Sequence, residues 1–203
     1  MCTGDPVCFW WLSGDLEIAE LEGGEPMATQ HIILLIINVI GGAAVIGSYI
    51  YGINAQSGGA GVLWGGVAEN IRPVYMVSMV LSALGYFAFM YYIFFSLTPS
   101  EVSIAGTFNF SLFYFIFLAI LIPSALWMPL TNVYVGNPTT INWVIVRIVL
   151  AIVGLASIAL VWALLSLQDK VPGISYWLAV AGSGYFAFHT AILDAIVWAE
   201  QFK

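Results

Sequence analysis

Five long apolar runs, broken by short polar stretches, dominate the chain: residues 31–53, 73–97, 112–135, 143–165 and 174–199. A helix rises ~1.5 Å per residue, so about twenty apolar residues cross a ~30 Å hydrocarbon layer, and each run is long enough. The pattern predicts an all-α integral membrane protein, a five-transmembrane-helix bundle over residues 27–203. The third run, Leu112 to Val135, has no charge at all but contains Pro123 and Pro129. Each proline removes a backbone donor and frees a carbonyl one turn earlier, which neighbouring groups must satisfy, so this helix belongs inside the bundle. Ser124 and Thr131 are placed to help, and Trp127 sits between the two prolines.

The breaks differ in character. Residues 54–72 form the longest, rich in glycine but with an apolar tip at Val62, Leu63 and Trp64, as expected of a loop that lies against something. In the first run Ala43 and Gly47 have the small-xxx-small spacing that lets another backbone approach. Pro73 opens the second run, where its missing donor costs nothing. Tryptophans bracket the last two runs near Trp143 and Trp162 and at Trp198, as expected at the headgroup level.

Composition agrees with the pattern: 62% of residues are hydrophobic and 7% charged, against ~25% charged in an average soluble domain. The net charge of −7 comes largely from residues 5–25, where six acids stand with no base. That tail disfavours nucleic acid and anionic surfaces as partners. Residues 1–26 are expected to be a poorly ordered acidic extension ahead of Met27, and function is not placed there. Both cysteines, Cys2 and Cys8, lie in it, too few and too peripheral for a membrane redox pair or a zinc site.

The sparse charges carry topology. With the N-terminus on one side, Arg72, Arg147 and Lys203 fall on the other and Lys170 on the first, so the positive-inside bias places the N-terminus outside and the C-terminus in the cytoplasm. Arg147 lies about one turn inside Trp143 and Asp194 about one turn inside Trp198. In antiparallel neighbours the two share a depth, so Arg147 and Asp194 are expected to form a structural ion pair. On the fifth run Ser183, Ala187, Thr190 and Asp194 fall on one face. On an α-helix His189 stands well over a right angle away from Asp194, which argues against a direct contact between them.

Toward the side that carries Arg72 gather Trp64, Tyr75, Trp127, Arg147, His189 and Asp194. Aromatic walls, a few polar groups and a covering loop suit a pocket for a flat hydrophobic ligand, with Trp64, Tyr75, Trp127, His189 and Asp194 as ligand-binding residues. No lysine lies within a run to carry retinal, and His31 and His189 lie at different depths, so a bis-histidine haem is excluded. No metal-ligand cluster, phosphate-binding loop or marked nucleophile is present, so catalytic residues and metal are both assigned as none. A single histidine remains compatible with a metal-centred tetrapyrrole.

The segment Ser124-Ala125-Leu126-Trp127-Met128-Pro129-Leu130 resembles the third-helix motif of the TspO/MBR family, the tryptophan-rich sensory or translocator proteins, with Ser124 where the family has asparagine. The order of elements is similar too, with a long first loop and a short polar turn, Gln168 to Gly173, ahead of Tyr176-Trp177-Leu178. The resemblance spans about Gly41 to Trp198. It implies a five-helix bundle, often dimeric, that binds porphyrins, sterols or similar hydrophobic molecules. Two other readings share these features: an accessory subunit of a larger, pigment-containing membrane complex, and a small transporter with Arg147 and Asp194 on its pathway.

Overall fold

The computed structural model describes residues 29–55, 59–168, 170 and 172–202. The acidic extension assigned to residues 1–26 lies outside the described residues, as does Lys203. Five helices are long and apolar enough to cross a membrane: α1 (Thr29–Ala55), α2 (Arg72–Phe95), α3 (Ser111–Gly136), α4 (Thr140–Leu165) and α5 (Ile174–Gln201). The protein is an all-α five-helix bundle, with no strand among the described residues.

Local chemistry sets the ends of these helices. Pro73 falls in the first turn of α2, and the Thr139 side chain caps α4 by accepting from the Asn142 backbone N–H at 3.2 Å. α3 runs through both Pro123 and Pro129 without ending. Thr131 does not cover a freed carbonyl there. Its hydroxyl is buried with no hydrogen-bond partner.

The principal helix contacts run in the order α1, α3, α4, α5, α2, so α1 and α2 are the ends of the row although they are neighbours in sequence. Close approach depends on glycines, though not at Ala43 and Gly47: a Cβ on Gly47 would meet nothing within 4 Å. Instead Gly41 and Gly52 of α1 receive Leu121 and Met128 of α3. Where α2 crosses α5, Gly85 and Gly182 face each other so tightly that a Cβ on Gly85 would lie 2.5 Å from the Gly182 carbonyl oxygen.

Two packed layers result. Away from the 59–71 loop, Phe89, Phe110, Phe113 and Phe117 are fully buried together with Ile120 and Leu160. At the loop end Val67, Tyr75, Val146, Leu150, Trp198 and Phe202 form a second cluster. Its floor is aromatic: Trp198 stacks on Phe202 at 4.5 Å and meets Trp127 edge-on at 5.3 Å, while Trp143 stacks on Phe202 at 5.9 Å.

The first loop lies on this floor. Its 3-10 turn (Gly59–Trp64) places the Leu63 carbonyl 3.2 Å from Trp198 Nε1, which donates to it, and the Gly66 N–H donates to the Gln201 carbonyl at 2.9 Å. Gly65 adopts a positive φ of 52°, and a Cβ there would run into Phe202. Only glycine fits the turn on both counts.

α5 is not uniform. Ile174–Ala187 is α-helical, Phe188–Trp198 is a π-helix, and Ala199–Gln201 returns to α. Wide π turns are rare, and an eleven-residue stretch is long for one. Two hydroxyls serve carbonyls here: Thr190 Oγ1 donates to Phe186 at 3.0 Å and the Tyr75 hydroxyl donates to Leu193 at 3.2 Å.

Candidate functional site

Between the two packed layers lies a cavity of about 670 Å³, walled by all five helices. α1 contributes Asn38, Gly42 and Tyr49, and α2 contributes Ser82 and Tyr86. α3 adds Ile120, Leu121 and Trp127, α4 adds Leu150 and Val153, and α5 adds Phe186, His189, Thr190 and Asp194. The wall is chiefly apolar and aromatic. Val39 and Ile46 of α1 and Phe87 of α2 also border it, and these three are 61%, 64% and 69% exposed on the outer surface. The cavity therefore opens sideways, between α1 and α2, through an apolar rim. Across that seam the Tyr86 hydroxyl donates to Asn38 Oδ1.

Trp127 stands at the base, between Tyr49 at 5.5 Å and Trp198 at 5.3 Å. Its Nε1 is buried without a hydrogen-bond partner, and so is Ser82 Oγ. A buried donor left unpaired costs roughly 1–3 kcal/mol.

His189 and Asp194 come together, against the sequence expectation. His189 Nε2 lies 3.6 Å from Asp194 Oδ2. On an α-helix of ~3.6 residues per turn, positions five apart point about 140° away from each other. The π segment stacks positions i and i+5 instead, which puts both side chains on one face. On its other side His189 Nδ1 is 2.9 Å from Ser78 Oγ of α2, and the Tyr185 hydroxyl donates to that same Ser78 oxygen at 3.1 Å. A chain of four side chains thus ends on the cavity wall.

The expected ion pair between Arg147 and Asp194 is not formed. Arg147 Nη2 lies 3.9 Å from Glu200 Oε1, with both side chains about half exposed or more, at 48% and 62%. The π winding turns Asp194 into the cavity, whereas Glu200, one and a half turns later, points to the outer edge where Arg147 lies. An exposed pair of this kind contributes ~0–1 kcal/mol. Arg147→Ala and Asp194→Ala are expected to be additive within ~0.5 kcal/mol in a double-mutant cycle read by thermal unfolding. Measurable coupling between them would restore the pair.

Trp64 and Tyr75 are not on the cavity wall. Trp64 packs edge-on against Tyr75 at 6.0 Å, under the Arg72 guanidinium 5.9 Å above its ring, and Tyr75 is buried in the floor cluster. Both belong to the mounting of the first loop and of the π segment. Trp127, His189 and Asp194 do border the cavity, and Arg147 does not.

Several residues on or behind the cavity wall carry no mark in the sequence reading above. Ser78, Ser82, Gly85, Phe89 and Tyr92 are all buried on one face of α2, and their three- and four-residue spacing is a legible signal. Asn38 is an amide in the middle of an apolar helix, well inside Gln30 and Asn54 at its ends, which calls for a partner. Tyr49 and Tyr86 carry no such signal, because tyrosines are frequent throughout the chain.

Comparison with protein-family models, with curated proteins and with solved structures finds no match for this chain.

Proposed function

We propose that this multi-pass membrane protein binds or senses a flat hydrophobic molecule, a tetrapyrrole, sterol or similar ligand, in a cavity of the TspO/MBR kind. The cavity itself carries this reading. Its volume of about 670 Å³ is within the ~300–1,000 Å³ of small-molecule sites, its walls are aromatic, and a few polar groups converge on it. Trp127 supplies a broad ring, and His189 and Asp194 supply the polar end. The motif around Trp127 supports the same reading through its resemblance to the TspO/MBR third helix. Orientation is part of the proposal. Arg72 and Arg147 lie at the loop end and Lys170 at the other, so the loop end faces the cytoplasm and the N-terminal end of α1 faces outward.

Tryptophan fluorescence tests the reading. Free-base porphyrin and haem are expected to quench it saturably at micromolar concentration, a sterol to compete, and Trp127→Phe to weaken binding by about tenfold, the loss of one aromatic contact and one donor. Quenching that stays linear with every ligand would sink the reading and favour an accessory subunit of a larger complex.

A further inference from the structure

We propose that the ligand of this cavity is a lipophilic cation, a flat apolar molecule with a protonated nitrogen that sits against Asp194. The inference rests on the cavity being a ligand site and adds the charge of what it takes. It follows from the position of Asp194 on an aromatic cavity wall, with no cation of the described residues paired to it.

The Tyr185 hydroxyl donates to Ser78 Oγ, and the same oxygen lies 2.9 Å from His189 Nδ1. In the tautomer that accepts from Ser78 at Nδ1, the imidazole is neutral and carries its proton on Nε2, the nitrogen that faces Asp194. In that tautomer the donors of the chain all point toward Asp194. At 3.6 Å the last contact is longer than a hydrogen bond, so it does not pair off the Asp194 carboxyl group.

Nor does another cation do so. Arg72 pairs with Glu69 at 3.8 Å and lies over Trp64, Arg147 pairs with Glu200, and Lys170 lies over the Tyr176 ring at 5.5 Å. These are the arginines and lysines among the described residues. The second histidine, His31, is packed between Phe94 and Phe110. Asp194 keeps 28% of its side-chain surface free, and it lies on the cavity wall with Tyr49, Tyr86 and Trp127. Aromatic faces attract cations through their quadrupoles, and a carboxyl group among them ionises when a protonated nitrogen pairs with it. An intramembrane charge is costly unless something answers it. In this cavity the answer has room to be a ligand.

The test compares two dyes of the same ring shape on protein in phosphatidylcholine nanodiscs, with empty nanodiscs subtracted. At neutral pH proflavine is a cation and acridine is neutral. Proflavine is expected to bind about tenfold more tightly than acridine, and Asp194→Asn to abolish that preference. Asp194→Glu, which keeps the charge, is expected to retain it and separates charge from folding. Equal affinity for the two dyes, or a preference that survives in Asp194→Asn, would overturn the proposal. Trp127-dependent binding of acridine with no preference for charge would overturn it while leaving the cavity reading intact. Failure of both dyes to bind would count against both.

Discussion

Trp198→Ala is expected to destabilise the protein by about 3–5 kcal/mol, the cost of deleting a buried aromatic ring from a packed site. Trp198 is 4% exposed. It touches Trp127, Trp143 and Phe202, and its Nε1 holds the Leu63 carbonyl of the first loop. Removal therefore opens the floor of the cavity and releases the loop together. In a thermal-shift assay the melting temperature is expected to fall by roughly 10 °C, and protease to cut sooner in residues 59–71. Trp198→Phe keeps the stacking and loses only the hydrogen bond, so about 1 kcal/mol and faster loop cleavage are expected. Trp162, 44% exposed on the outer face of α4, is the control. Should Trp198→Ala melt with Trp162→Ala, the aromatic floor would not be what holds this end of the bundle.

Gly85→Ala carries the second large effect. The new methyl would lie 2.5 Å from the Gly182 carbonyl oxygen, which is backbone and cannot rotate away as a side chain would. α2 and α5 must separate, and overpacking of this kind costs ~1–3 kcal/mol. The same shift moves Ser78 from His189, because both are carried by these two helices. Gly47→Ala meets nothing within 4 Å and is expected to stabilise α1 slightly, by up to ~1 kcal/mol of helix propensity. Equal melting temperatures for the two variants would show that the α2–α5 crossing is looser than its geometry.

The five helices were legible because a bilayer demands long apolar runs, and Leu112 to Val135 or residues 143–165 satisfy that demand on composition alone. Trp127 was legible for a related reason, since two prolines around a tryptophan are more than lipid requires. The relation between His189 and Asp194 was not. Helical-wheel reasoning assumes 3.6 residues per turn, and nothing in FHTAILDAIVW announces a π-helix; its winding rests on partners from α2 that only the fold supplies. Arg147 and Asp194 failed as a pair for the same reason, because depth was inferred correctly from the tryptophan brackets only if the helix between them is regular. Trp64 and Tyr75 share the cavity's half of the bundle, and position along the membrane normal does not tell a cavity wall from the floor beneath it.

The row of helix contacts leaves α1 and α2 as a doorway whose jambs are Val39, Ile46 and Phe87. A solute using it arrives dissolved among acyl chains, so occupancy follows its mole fraction in the bilayer and not its aqueous concentration. Dissociation constants for this protein are therefore expected to scale with the amount of lipid present, and to become constant only when expressed per lipid.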